Sequence, residues 1–361
     1  MREALIRPAA ISSNVEKIRS MTPTPHTLVV VKADGYGHGA LTAATAALEG
    51  GATWLGTADL NEALHLRNNK IEAPILAWLF GPDEDLRQAL EAGIDVGVSS
   101  ISQLQQVISA GVSAHIHLKI DTGLGRSGAD PREWEALFGA TKAAIDSGAL
   151  RLRGLFTHLS GTSTEADARQ GELYQQGLQL AQSVGLEPEI RHITASIGTS
   201  ESPGLSHDMT RIGIAAYGIP LTPRYQQLGL TPAMRVSAQV VLTKAVAQGL
   251  GVGYGHTYRT TRETTLALIP MGYADGVPRH ASNRGPLTIS GQRFQVSGRI
   301  SMDQFSVDVG DAEVHEGDWA VLWGAPAQGE PTATEWADAA ETIPYDIITR
   351  IGPRVPRVVQ R

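Results

Sequence analysis

Residues 94–120 read IDVGVSSISQLQQVISAGVSAHIHLKI, and the order of patterns within them decides the fold. Residues 94–98 form a short apolar, β-branched run. Residues 101–110 place Ile101, Leu104, Val107 and Ile108 at helical spacing, Gly111 supplies a helix stop, and residues 115–120 form a second apolar run. Strand, crossover helix and strand in so short a span make a parallel βαβ unit. The alternation extends in both directions. Strands are predicted at 28–33, 53–57, 74–78, 94–98, 115–120, 152–158, 189–194 and 211–216, with a helix at 59–67 (Leu60, Ala63, Leu64 and Arg67 at helical spacing) and further helix stops at Gly93, Gly148 and Gly185. Eight such units in about 220 residues predict a (β/α)8 barrel over residues 8–229, with an open doubly wound sheet as the second choice.

The texture changes after Gly218. A connector with Pro220, Pro223 and Pro232 leads into VSAQVVLTKAV, TTLALIP, PLTISGQRFQVSGRI, QFSVDV and DWAVLW, strands punctuated by glycine turns. A β-rich C-terminal domain is therefore expected over 230–361, closed by a helical stretch at 335–350, and residues 1–7 are a candidate extra strand for it. The chain carries neither an internal repeat nor a low-complexity tract.

Composition narrows the function. Of 361 residues, 30 are Lys or Arg and 37 Asp or Glu, a formal net charge of −7, and none is cysteine. Without cysteine, a disulfide framework, a thiolate metal site and a thiol nucleophile or acid–base pair are excluded. The acidic balance and the lack of a basic run argue against nucleic acid or an anionic membrane and favour a small ligand. Arg2, Glu3, Arg7 and Glu16 interrupt the first apolar stretches, so no signal-peptide core is expected. No apolar run approaches the roughly 18 residues of a membrane span. A cytoplasmic protein is expected.

In a barrel of this kind the chemistry sits where the strands finish. The first strand finishes in VVKADGYGHG (30–39), placing Lys32 behind Val29, Val30 and Val31 and ahead of three glycines. A lysine more often snorkels to the surface. One that rises from an apolar strand end is desolvated, and desolvation lowers its pKa and makes its amine a Schiff-base nucleophile. The fifth finish, HLKIDTGLGRSG (117–128), supplies Lys119 and Arg126; the sixth, GLFTHLSG (154–161), supplies His158; HITASIGTS supplies His192 and Ser196; RIGIAAYG supplies Arg211, Gly213 and Ile214. Hydroxyl and amide groups after strands seven and eight form the usual phosphate site of such barrels. A Schiff-base lysine beside a phosphate loop points to pyridoxal 5′-phosphate, with Arg211 placed to face the pyridine nitrogen.

These segments, followed in order by VGYGHTY (252–258), IPMGYADG (269–276) and GRISMDQ (298–304), resemble those of bacterial alanine racemases, fold-type III enzymes dependent on pyridoxal phosphate, over nearly the whole chain. The resemblance implies a homodimer whose active site takes residues from both subunits and which interconverts L- and D-alanine for peptidoglycan. It implies that Lys32 carries the cofactor and is one catalytic base, and that Tyr254 is the opposing base, reaching in from the other subunit. Arg211 would hydrogen-bond the unprotonated pyridine nitrogen with His158 behind it. Arg126 would contact the cofactor's phenolic oxygen and the substrate, Lys119 would be the position often carbamylated, and Tyr36, Ser196, Gly213 and Ile214 would contact the phosphate. Met302 matches a substrate-carboxylate contact, and Tyr273, Arg279 and Asp303 match entrance residues. No metal is implied. The chain departs from the family pattern at Ala195, where asparagine is usual, at Ser301, where many members have cysteine, and at Pro353, where a tyrosine narrows the pocket. A wider pocket would make the enzyme broader or serine-preferring.

Rival readings fit less well. Residues 123–128, GLGRSG, satisfy the dinucleotide-binding spacing, but Ala129-Asp130-Pro131 follows instead of an immediate helix, and the unit is fifth rather than first. His115 and His117 share a strand face, yet no matching carboxylate set closes a metal site, so barrel packing is expected of them. A barrel that binds the cofactor without catalysis would lack the second domain with Tyr254. The absence of cysteine also removes the cofactor-free route to racemisation, which uses two opposed thiols.

Overall fold

The computed structural model describes residues 1–22 and 24–360. Strand β1 (Arg2–Ile6) and helix α1 (Pro8–Met21) precede the barrel strands β2 (His26–Val30), β3 (Trp54–Thr57), β4 (Ile75–Ala77), β5 (Ile94–Val98), β6 (Ala114–Lys119), β7 (Leu150–Phe156), β8 (Ile190–His192) and β9 (Met209–Ile212). They form a parallel eight-stranded sheet ordered β8-β7-β6-β5-β4-β3-β2-β9, and a bridge between Ala195 and Arg211 joins its two ends. The eight-unit barrel read from the sequence is the observed one. Every residue of β3 and β5 is buried, as expected of parallel strands covered on both faces. Side-chain caps turn the chain from strand end into helix: Asp59 accepts from the Glu62 amide and Ser100 from the Gln103 amide.

Two barrel strands end three or four residues earlier than the patterns suggest. Strand β2 stops at Val30, and Lys32 opens a tight turn, Lys32–Tyr36, in which Ala33, Asp34, Gly35 and Tyr36 all have φ between 51° and 61°. Four consecutive left-handed residues, three of them not glycine, cannot be anticipated from propensity, because the Cβ–carbonyl crowding they carry is unfavourable residue by residue. Strand β9 ends at Ile212; Gly213 leaves the extended region at ψ −108°, and Ile214–Tyr217 is a short 3-10 turn.

The rest of the chain builds a nine-stranded sheet ordered β11-β14-β17-β16-β15-β18-β10-β1-β19. It contains β10 (Met234–Gln239), β11 (Leu242–Val246), β14 (Thr264–Ile269), β15 (Pro286–Ile289), β16 (Gln292–Ser297), β17 (Phe305–Gly310), β18 (Trp319–Trp323) and β19 (Arg357–Val359), while β12 (Gly251–Val252) and β13 (Tyr258–Arg259) pair separately. Strand β1 lies between β10 and β19. The helical stretch expected at 335–350 is two helices, Ala333–Ala340 and Pro344–Thr349, parted at Glu341 with φ 56°. The second reaches the Lys32 turn: the Ile348 carbonyl oxygen lies 2.5 Å from where a Cβ on Gly37 would sit, and Arg357 donates to the Gly37 carbonyl at 3.1 Å. Among the described residues no helix is long and apolar enough to cross a membrane.

Candidate active site

The Lys32 turn is held by groups around it. The Ala33 amide donates to Glu62 Oε1 at 2.6 Å, the Ala58 amide to Glu62 Oε2 at 2.8 Å, and the Ala40 amide to Asp34 Oδ1 at 2.8 Å. His38 is fully buried, and burial lowers its pKa to about 4. The neutral ring can therefore donate from Nδ1 to the carbonyls of Tyr36, at 2.9 Å, and Gly35, at 3.1 Å. Lys32 Nζ lies 5.8 Å from the centre of the Trp78 ring. Burial, with Arg126 adding to it and Glu62 opposing, lowers the amine's pKa and favours its nucleophilic, unprotonated form.

After β6, Asp121 gathers the loop. Its Oδ1 accepts from the amides of Gly123 at 2.9 Å and Leu124 at 3.1 Å, and its Oδ2 accepts from Gly125 at 3.0 Å, which leaves Arg126 exposed at the loop's edge. Lys119 is buried and donates to Ser127 Oγ at 2.5 Å. Burial, reinforced by Arg211 and Arg126, brings its pKa down to about 8.

Arg211, also buried, is fixed by four acceptors. Its Nη2 donates to the carbonyls of Thr157 and Ile193, each at 2.7 Å, and lies 3.3 Å from His158 Nδ1; its Nη1 is 2.9 Å from His192 Nδ1. Burial lowers the guanidinium only to about 10, so it stays charged at neutral pH, whereas burial and Arg211 hold His158 at about 3 and neutral. At the ends of β8 and β9 a polar corner forms. The Gly213 amide donates to Ser196 Oγ at 2.9 Å, and a Cβ on Gly213 would come within 2.6 Å of the Tyr36 hydroxyl. Tyr36 stacks on Tyr217 at 4.8 Å with Tyr345 at 6.2 Å, and Tyr225 donates to the Ser196 carbonyl.

The remaining sequence-nominated residues lie apart, on the β-rich part of the chain. Tyr254 follows β12 at the tip of the small hairpin and is 71 % exposed; Met302 and Tyr273 are exposed too, as are Arg279 and Asp303. The Tyr273 amide donates to Ser301 and the Ala274 amide to Met302, while Arg354 joins Asp303 to the buried Asp275. Among the described residues no hydrogen bond or ion pair links this group to the barrel-mouth set.

The family model "Alanine racemase, N-terminal domain" matches residues 6–220, and "Alanine racemase, C-terminal domain" matches residues 233–359. The chain belongs to the alanine racemase family. It is 48 % identical to the alanine racemase of Thermobifida fusca over 363 aligned residues, covering 99 % of this chain and 97 % of the relative. The alanine racemase structure from D-cycloserine-producing Streptomyces lavendulae superposes with a TM-score of 0.97 at 44 % identity, covering 100 % of this chain and 97 % of that one. A Bacillus anthracis alanine racemase structure with bound L-Ala-P superposes at 0.91 with 32 % identity, covering 100 % and 95 %.

Sequence reasoning missed several residues that shape the barrel mouth. Glu62 had a signal, an acidic residue three positions after the Asp59 cap, but its real partners, the amides of Ala58 and Ala33, depend on the neighbouring strand ends. Asp121 and His38 had none beyond their place in glycine-rich loops.

Proposed function

We propose that this chain is an alanine racemase, an isomerase that uses pyridoxal 5′-phosphate and two bases on opposite faces of the substrate. The observation that carries the reading is one barrel mouth holding a desolvated Lys32 amine, a corner of Ser196 Oγ, the Tyr36 hydroxyl and Gly213 that a Cβ would fill, and a charged, fixed Arg211. Among the described residues no acidic side chain hydrogen-bonds to the Ser196 and Tyr36 hydroxyls or the Gly213 amide. Lys32 would hold the cofactor covalently; Tyr36, Ser196, Gly213 and Ile214 its phosphate; Arg211 its ring nitrogen; and Arg126 its phenolic oxygen. When bound, the cofactor delocalises the electron pair left on the substrate's α-carbon.

Each side chain then has a stated task. Arg211 keeps its own proton at neutral pH, so the group it faces receives a hydrogen bond and no proton. His158, neutral and behind it, adds no competing charge. Lys32 takes or returns the α-proton on one face. Tyr254 does so on the other, and because it stands exposed on its hairpin with no hydrogen bond to the barrel mouth among the described residues, it serves the site of a second subunit in a homodimer, together with Met302, Tyr273, Arg279 and Asp303. Lys119, at about 8, has the neutral amine fraction that carbamylation requires, and the resulting carboxylate would orient Arg126. The product, D-alanine, suits peptidoglycan synthesis in the cytoplasm.

The test is chiral analysis of L-alanine and L-serine incubated with the purified enzyme. Conversion of alanine with the higher kcat/KM supports the reading, and a serine preference replaces alanine as the substrate. Lys32→Ala should abolish both the turnover and the visible absorption of the lysine-bound cofactor; a variant that keeps that absorption removes Lys32 from its role.

A further inference from the structure

Beneath Arg211 lies a line of buried polar groups that the chemistry at the mouth does not use. His192 Nδ1 faces Arg211 at 2.9 Å, His192 Nε2 is 2.9 Å from His117 Nδ1, and His117 Nε2 is 3.2 Å from Asp95 Oδ2. None of the three residues is more than 1 % exposed. Arg153 Nη1 closes the line, donating to both oxygens of Asp95 at 3.2 Å.

Donor rules assign every proton along it. A guanidinium only donates, so His192 Nδ1 must be bare. Burial and Arg211 hold His192 neutral, which leaves its proton on Nε2, pointing at His117. His117 Nδ1 therefore accepts, and its proton sits on Nε2, donated to the carboxylate of Asp95. The three bonds from Arg211 to Asp95 are polarised in one direction, and each strengthens the next.

The backbone is shaped to admit this line. Ile116 pairs with Leu152 but His117 pairs with Gly154, so Arg153 is the extra residue of a β-bulge in β7. A Cβ on Gly154 would lie 2.1 Å from His117 Nδ1. Trp54 meets the His117 ring edge-on at 5.5 Å, and Phe156 stacks on His192 at 4.7 Å. Arg211 meanwhile touches carbonyls and imidazoles and makes no ion pair among the described residues, so hydrogen-bond acceptors set its direction.

We propose that Asp95 and His117 are positioning residues for Arg211: acting through His192, they fix the direction of its guanidinium. The proposal rests on the reading of Arg211 as the group that faces the cofactor ring.

The experiment uses full-length holoenzyme labelled with 15N-histidine, as wild type and as His117→Gln, His117→Phe and Asp95→Asn. In the wild type both His117 and His192 should show the neutral Nε2–H tautomer. A His192 proton on Nδ1 overturns the proposal whatever the activity, which separates its failure from failure of the functional reading. Glutamine can turn its oxygen to His192 and its amide to Asp95, so His117→Gln should keep kcat for alanine within about threefold of wild type; His117→Phe, which keeps the ring packing without polar atoms, should lower kcat about tenfold or more with KM within about twofold. If His117→Phe does not fold, the isosteric Asp95→Asn takes its place, with kcat lowered several-fold and both tautomers retained. Equal kcat in the Gln and Phe variants, or a loss that follows only cofactor content and melting temperature, would mean that His117 merely fills space, and the proposal fails.

Discussion

Replacing Ala33 by glycine should make the protein more stable, although the same change in an ordinary helix makes it less so. Ala33 is exposed and left-handed, at φ 51° and ψ 51°, so glycine loses no burial there and relieves the contact between Cβ and the following carbonyl. That relief contributes about 1–2 kcal/mol, and the greater freedom of glycine in the unfolded chain takes back about 0.5–1 kcal/mol. A net gain of roughly 0.5–1 kcal/mol remains. Ala143, equally exposed but inside the right-handed helix Trp134–Asp146, provides the contrast, because glycine there should cost about 0.8–1 kcal/mol of helix propensity. Calorimetric melting at a fixed scan rate and matched cofactor content should therefore rank Ala33→Gly above wild type and Ala143→Gly below it, with about 2 °C between the variants. Equal losses at both positions would refute the argument that the Lys32 turn stores strain. Strain held beside a reactive amine is maintained for position, so Ala33→Gly should not raise kcat even as it stabilises.

Other consequences can be checked separately. Gly213→Ala puts a Cβ 2.6 Å from the Tyr36 hydroxyl and should weaken cofactor affinity about tenfold in a fluorescence titration of apoenzyme, with an unchanged fold by circular dichroism; unaltered affinity would remove this corner from phosphate binding. Lys119, at about 8, has about one neutral amine in ten at pH 7, against about one in three thousand for an unperturbed lysine, so 13C-labelled bicarbonate should give a carbamate resonance that Lys119→Met abolishes. Its folded pKa lies below its unfolded value, so the unfolded chain binds more protons in between; uncarbamylated protein should gain stability as pH rises from about 8 to about 10.5, and Lys119→Met should lack that rise. Pro353→Tyr should raise the ratio of alanine to serine kcat/KM; an unchanged ratio places Pro353 outside the pocket.

The barrel was legible because its signals are local. Gly93, Gly111, Gly148 and Gly185 do end helices, all with positive φ, and the apolar runs between them are the strands to within a few residues. What failed was local too, yet needed the assembled barrel. The run Val29-Val30-Val31 favours extending the first strand through Lys32, and only the hydrogen bonds of Glu62, Asp34 and His38, brought from 2 to 29 positions away, hold the left-handed turn that replaces it. Ile101, at helical spacing with Leu104 and Val107, sits at the exposed end of its helix, because the first turn projects beyond the packed face. His117 reads as barrel packing from its place in an apolar strand. Its partners, Asp95 and His192, lie on other strands, 22 and 75 residues away, and no spacing within one segment announces them.

Lys32 and Tyr254 are proposed to work on opposite faces of one α-carbon. Incubating L- and D-alanine separately with Tyr254→Phe in D2O, and following α-deuteration and configuration, decides whether both are needed. With one base left, exactly one of the two enantiomers should exchange its α-hydrogen, with its configuration retained, and neither should invert. Inversion of both enantiomers at the wild-type rate would contradict the account.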